Sequence, residues 1–130
     1  MVGQKYFLIV AAVYGAAGVA AGAFGAHGLK ERLGAEMLPI FETGARYHMY
    51  HAIAMLALAA GTAMLWQRPW AAYACWCWAL GVLVFSGSLY LLSLTEIRWL
   101  GAITPIGGVL LILGWCFAAA SALSLVSEAR

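Results

Sequence analysis

The amino-acid sequence predicts an all-α integral membrane protein, a single four-helix transmembrane bundle with its N- and C-termini on the same side. Composition is the first ground. Of the 130 residues, 65% are hydrophobic and 9% are charged, where a soluble domain carries roughly a quarter charged residues. So few charges cannot give a soluble chain of this size a polar surface. The placement of the charges is the second ground. No Asp, Glu, Lys or Arg falls within 6–29, 47–67, 69–95 or 99–127, runs of 24, 21, 27 and 29 residues. A bilayer's hydrocarbon core takes about 20 residues of helix, so each run is long enough to cross. No water at that depth satisfies a bare peptide group, which leaves helix as the conformation that closes its own hydrogen bonds.

The elements follow in order. Helix 1 is expected over about 6–26. Its apolar run 6–24 exceeds the roughly 7–15 residues of a signal-peptide core, so a retained helix is expected rather than a cleaved leader. Gly15, Gly18, Gly22 and Gly25 recur at spacings of three, four and three, which gathers them within about 80° on one face. Gly18 and Gly22 form a GxxxG pair. Such a stripe lets a neighbouring helix backbone come close, and close packing is what holds helices together in lipid. The neighbour is either a helix of the same bundle or one from another subunit.

A connection over about 27–39 follows, and its piece LKERLGAEML at 29–38 predicts a short amphipathic element on the membrane surface. Helices 2, 3 and 4 are expected over about 40–66, 69–94 and 100–126. Pro39, Pro69 and Pro105 each stand near a helix start, where proline's missing N–H is no loss. Thr104 is expected to cap helix 4. Orientation is nearly balanced: Lys5, Arg68 and Arg130 lie on one side against Lys30, Arg32, Arg46 and Arg98 on the other. The margin of one favours the second side, with loops 1 and 3, as cytoplasmic.

Several function classes find no support. A formal net charge of +2 with no basic run gives nucleic acid nothing to bind. Cys75 and Cys77 point about 200° apart around a helix and cannot share a ligand face. Together with Cys116 they read as small apolar packing residues. There is no Asp, no GxSxG and no phosphate-cradling loop, so no enzyme is expected, and no cofactor.

Polarity is concentrated at one end of the predicted bundle, on the side of loops 1 and 3. His27 closes helix 1, His48 and His51 lie early in helix 2, and Ser86, Tyr90 and Ser93 share about 60° of helix 3. Polar groups inside a membrane are costly, face the bundle interior and mark function. His27, His48, His51, Ser86, Tyr90 and Ser93 are therefore the candidate ligand cluster, with structural hydrogen bonding as the plainer alternative. Glu42 and Arg46, at i and i+4, predict a structural ion pair. Around helix 2 they point nearly opposite to His48 and His51, so one metal site using Glu42 with both histidines is not expected. A third ligand would have to come from another helix, and no confident metal site emerges. A b-type haem between His27 and His51 is a further alternative. The glycines at 107 and 108 predict close helix packing.

The segments GAFGAHGLK (22–30), FETGARYHMYH (41–51), SGSLYLLSL (86–94) and GAITPIGGVLLILGW (101–115) resemble the small bacterial membrane proteins of domain-of-unknown-function family 423, related to eukaryotic transmembrane protein 256. The resemblance covers nearly the whole chain. It implies a four-helix, multi-pass protein of the bacterial inner (cytoplasmic) membrane and carries no established activity. The expected partners are the lipid bilayer and either another membrane subunit or a second copy of the chain. The leading expectation is a non-catalytic accessory subunit or homo-oligomer. Binding or translocation of a proton, metal ion or small solute at the polar cluster comes second, and a haem or redox role third.

Overall fold

The computed structural model describes residues 2–128, and Arg130, counted above with the termini, lies outside them. Among the described residues the fold is all helical. It comprises α1 (Val2–Ala23), α2 (Met37–Ala60), α3 (Trp70–Thr95) and α4 (Thr104–Glu128). A π-helical turn, Phe24–Leu29, extends α1, and 3-10 turns at Ala63–Trp66 and Arg98–Ala102 precede α3 and α4.

Consecutive helices run antiparallel. Gln4 at the start of α1 donates through Nε2 to the carbonyls of Ala59 and Gly61 at 3.0 and 2.9 Å, by the end of α2. At the other end Gly25 lies against Phe41. Ser121, late in α4, donates to the Leu65 carbonyl at 2.9 Å. The first residues of α1 and the last of α4 therefore share one end of the molecule, as predicted. α1 and α4 flank the α2–α3 pair and form no substantial interface with each other.

Three helical stretches are long and apolar enough to cross a membrane, Gly3–Leu29, Trp70–Thr95 and Arg98–Val126. α2 is of comparable length, 24 residues, and runs beside α1 and α3 from end to end. Its hydropathy is lower because it holds Glu42, Arg46, His48 and His51. The uncharged run expected to form helix 2 also outlasts the helix. α2 stops at Ala60, where Gly61 turns extended at ψ 174°, and the rest of the run forms the 3-10 turn.

The core centres on α3. Ala71, Ala74, Cys75, Trp78, Ala79 and Val82 of α3 are buried with Phe7 and Ala11 of α1, Met55 and Ala59 of α2, and Leu111 of α4. Small residues set how close the helices come. A Cβ added at Gly107 would stand 2.7 Å from Phe85 Cα, and one at Gly81 would stand 2.6 Å from Leu111 Cδ2. At Gly107 the obstruction is backbone, and at Gly81 the Leu111 nitrogen stands 3.1 Å off behind its side chain, so α3 and α4 meet nearly backbone to backbone there, the packing expected of membrane helices.

Other local expectations are corrected. The 29–38 piece forms turns, tied by Leu33 N–H to the Leu29 carbonyl and Leu38 N–H to the Gly34 carbonyl, and holds no helix of its own before α2 begins at Met37. Thr104 opens α4, but its hydroxyl meets Ser88 Oγ at 2.8 Å and joins α4 to α3. Cys75 is buried, Cys77 half-buried and Cys116 exposed, and all three are free thiols.

Candidate functional site

α2 carries the polar cluster because its helical period divides its polar residues between two faces. His48 and His51, three apart, turn inward and are 8% and 5% exposed. Glu42 and Arg46 turn outward and are exposed. Burial of an imidazole in an apolar core demands partners for its nitrogens, and the two histidines meet that demand differently.

Both nitrogens of His51 are engaged. Nε2 stands 3.2 Å from Trp115 Nε1, and Nδ1 stands 2.7 Å from the Tyr47 carbonyl oxygen. An indole N–H only donates and a carbonyl only accepts. His51 Nε2 must therefore accept from Trp115, and Nδ1 must carry the hydrogen that it donates to Tyr47. The ring is fixed in one neutral tautomer, because protonating Nε2 would set two N–H groups against each other. Trp78 and Trp115, with ring centroids 5.0 Å apart and edge to face, close the space around it. His51 thus works as a joint between α2 and α4.

His48 has one side-chain hydrogen-bond partner and lies beside the Tyr14 backbone of α1. Its Nδ1 lies 3.1 Å from the hydroxyl of Tyr90 on α3, and its Nε2 is buried with no hydrogen-bond partner. The ring is set edge-on to Tyr14 of α1 at 5.6 Å. Gly18 of α1 lies alongside, where an added Cβ would stand at ordinary contact distance, 3.6 Å, from His48 Cδ2. If Tyr90 donates to Nδ1, one group is left over, the Nε2 hydrogen. If Nδ1 donates instead, both the Nε2 lone pair and the phenol hydrogen are left over. The first arrangement leaves fewer buried groups unsatisfied and is the lower in energy.

Two of the α3 serines, Ser86 and Ser88, hold helices together. Ser86, fully buried, donates to the Gly44 carbonyl at 2.8 Å and ties α3 to α2. Ser93 bonds within α3 to the Tyr90 carbonyl at 3.0 Å. Ser88 bridges to Thr104 on α4. The predicted cluster is therefore gathered only in part. His48 and Tyr90 meet, Ser86 lies beside them on the α2–α3 contact, and His51 faces away toward α4. His27 is exposed on the π-helical turn and joins neither. Among the described residues no group of three His, Cys, Asp or Glu is placed to hold a metal ion. The haem alternative also loses a ligand, since neither nitrogen of His51 is free to coordinate iron.

Two further expectations are redrawn. Glu42 and Arg46 form no ion pair with each other. Among the described residues an ion pair joins Arg98 to Glu36 at 3.8 Å, between exposed side chains of loops 3 and 1, where it adds little stability. The glycine stripe of α1 divides into two. Gly18 and Gly25 face α2, against Met49 at 3.1 Å and Phe41 at 3.0 Å. A Cβ at Gly15 or Gly22 would meet nothing within 4 Å. Gly22 instead lines, with Gly18, Val19, Glu42, Ala45, Arg46 and Met49, an open groove of about 360 Å³ between α1 and α2. A second, larger groove of about 600 Å³ runs between α2 and α4, walled by Tyr47, Tyr50, Phe85, Ile112 and Trp115. Sequence reasoning missed both Trp115, the donor that fixes His51, and Thr104 as the partner of Ser88. A tryptophan about two turns past the Gly107–Gly108 contact was the available signal.

Residues 21–108 match the family described as a protein of unknown function, DUF423. The chain is similar to the UPF0382 membrane protein SSP2132 of Staphylococcus saprophyticus, with 46% identity over 114 residues, 86% of this chain and 92% of the relative. It is similar to the UPF0382 membrane protein YwdK of Bacillus subtilis, 41% identical over 86% of this chain and 91% of that one. The UPF0382 inner membrane protein YgdD of Escherichia coli is 39% identical over 94% of this chain and 92% of its own. No solved structure matches. Matched over most of its length by relatives named membrane proteins, and built of helices that fit a bilayer, the chain is a multi-pass inner-membrane protein that belongs to the DUF423 family.

Proposed function

We propose that this is a non-catalytic membrane protein that works by association, as a small accessory subunit of a larger assembly or as a homo-oligomer. The reading is carried by the division of polar groups between inside and outside. Inside, His51, Ser86, Ser88 and Ser121 are engaged in joining the chain's own helices. Outside, Glu42 and Arg46 stand unpaired by each other on a membrane helix, beside an α1 groove whose floor at Gly22 is open. Charged side chains on such helices are rare and usually pair, and the pairing absent within the chain is the kind a neighbouring subunit supplies. Extraction in several mild detergents, followed by size analysis and identification of co-purifying proteins, tests this. A lone monomer in every detergent, with nothing bound, overturns it.

A second reading takes the His48–Tyr90 pair as a binding point for a proton or a small polar solute. The unpartnered, buried Nε2 favours it, because histidine exchanges protons near neutrality. Reconstituted vesicles carrying a pH-sensitive dye test it. A proton gradient that decays no faster with wild-type protein than with Tyr90→Phe, or than in empty vesicles, ends the proton form of this reading.

A further inference from the structure

Glu42 and Arg46 have opposite sign and stand one helical turn apart on the outer face of α2, with Cβ atoms about 5–6 Å from each other. Each lacks an ion-pair partner among the described residues. Both line the groove between α1 and α2, with Gly18, Val19, Gly22 and Met49. That groove is graded along its length. α2 starts at Met37, beside loop 1, and a rise of about 1.5 Å per residue sets Glu42 and Arg46 roughly 8 and 14 Å along it. Cα–Cβ bonds tilt toward a helix N-terminus, so both side chains lean back toward loop 1 and carry their charges to the polar boundary. The deeper walls, Gly18, Val19 and Met49, hold no charge. We infer that this groove binds one phospholipid whose headgroup holds a phosphate and a primary ammonium, with Arg46 on the phosphate and Glu42 on the ammonium. The inference goes beyond the association reading and stands apart from it, since a lipid meets both charges whether or not a subunit packs on its far side.

The order of groups along the groove selects the occupant. In such a lipid the ammonium stands outermost, the phosphate comes next, and the acyl chains reach inward. Glu42, Arg46 and the uncharged walls follow in the same order from loop 1. A planar guanidinium takes two phosphate oxygens at once, and a carboxylate accepts the N–H bonds that a primary ammonium donates. A quaternary ammonium has no N–H to give, and a headgroup with a phosphate alone sets net negative charge beside Glu42. A free phosphate would satisfy Arg46 only and bring nothing to the deeper walls. The groove also has room for a lipid. A Cβ built at Gly22 meets nothing within 4 Å, so the glycerol and first methylenes lie against bare α1 backbone without displacing any side chain.

Native mass spectrometry of the full chain, delipidated in mild detergent and then given lipids of identical dioleoyl chains, tests the inference. Wild type retains phosphatidylethanolamine about ten-fold more tightly than phosphatidylcholine or phosphatidylglycerol, the scale of one charged hydrogen bond. Glu42→Gln brings the three lipids within about two-fold of each other, and Arg46→Gln lowers retention of all three about ten-fold. Glu42→Lys turns the preference to phosphatidylglycerol, because two bases then face the headgroup. Misfolding does not produce a new preference. Gly22→Leu lowers retention of every lipid by filling the groove. Free phosphoethanolamine, which has the same charges and no acyl chains, leaves the bound lipid in place at equal concentration. Equal retention of the three lipids by wild type, an unchanged preference in Glu42→Gln, or displacement by free phosphoethanolamine overturns the inference. So does a protein subunit seated in the groove in place of lipid, although the association reading then survives. A lone monomer that still selects phosphatidylethanolamine removes the association reading and upholds this one.

Discussion

Replacing Gly107 with alanine sets the α3–α4 contact against the intrinsic preference of a helix. Alanine is favoured over glycine in a helix interior by about 1 kcal/mol, so on propensity alone the change stabilises. Packing works the other way. The new methyl would stand 2.7 Å from the Phe85 Cα, and because that neighbour is backbone, no rotamer change relieves the clash. The two helices must separate along the whole contact, weakening the Gly81–Leu111 approach and the Ser88–Thr104 hydrogen bond as they do. Overpacking of this sort costs about 1–3 kcal/mol, and a backbone obstruction places it at the upper end. The net expectation is a loss of about 2 kcal/mol, roughly 30-fold in the folded-to-unfolded ratio. Gly15→Ala is the matched control. It lies on a membrane helix with nothing within 4 Å of its Cβ, so it should hold or gain stability, by up to about 1 kcal/mol. Both can be read by titrating sodium dodecyl sulfate into the protein in mild detergent, with far-UV circular dichroism and tryptophan fluorescence as probes. A Gly107→Ala protein within about 0.5 kcal/mol of wild type would show that α3 and α4 are not in close backbone contact.

Four further outcomes are expected. Nitrogen-15 spectra of the labelled protein should show His51 neutral with its hydrogen on Nδ1, and Trp115→Phe should keep that hydrogen in place, held by the Tyr47 carbonyl, while shifting the Nε2 resonance as it loses its donor; hydrogen on Nε2 in the wild type refutes the assignment. A double-mutant cycle of Ser88→Ala with Thr104→Val should return a coupling of about 0.6–1.7 kcal/mol, and zero coupling would mean that their 2.8 Å contact does not form. Glu96 closes α3 with φ 58°, a left-handed conformation that costs a side chain about 1–2 kcal/mol, so Glu96→Gly should raise the midpoint of the same titration. Tyr90→Phe removes the single partner of His48 Nδ1 and should lower stability by about 1 kcal/mol, whereas Tyr50→Phe, whose ring is exposed, should leave it unchanged.

Much of the fold was legible because it depends on solvent. Runs of 24, 27 and 29 uncharged residues are stable as helices in hydrocarbon, whatever they pack against, and composition reports that directly. The second run was the harder case. Its helix end could not be read from hydropathy, since 61–67 is as uncharged as the residues before it, and the extended conformation at Gly61 decides where α2 stops. The 29–38 piece misled for a related reason. Its leucines and charges suit an amphipathic helix, but Leu29 is buried beneath the turn and too few residues remain before α2 for an independent element. Among the polar residues, the angular separation of Glu42 and Arg46 from His48 and His51 was readable, because it follows from the helical period alone.

By itself, then, the sequence determined the solvent, the number of helices, their order, and which residues of each share a face. These are local or compositional properties, set by runs and periods within one segment. Only the tertiary structure decided which faces meet: that Trp115 donates to His51, that Tyr90 is the partner of His48, that Gly18 and Gly25 are covered while Gly22 is bare, and that Glu42 and Arg46 stay apart. Those choices come from the relative rotation and closeness of helices far apart in the chain. In lipid no hydrophobic force sets that arrangement, and it is settled by atom-sized gaps at Gly81 and Gly107 and by a few hydrogen bonds between helices.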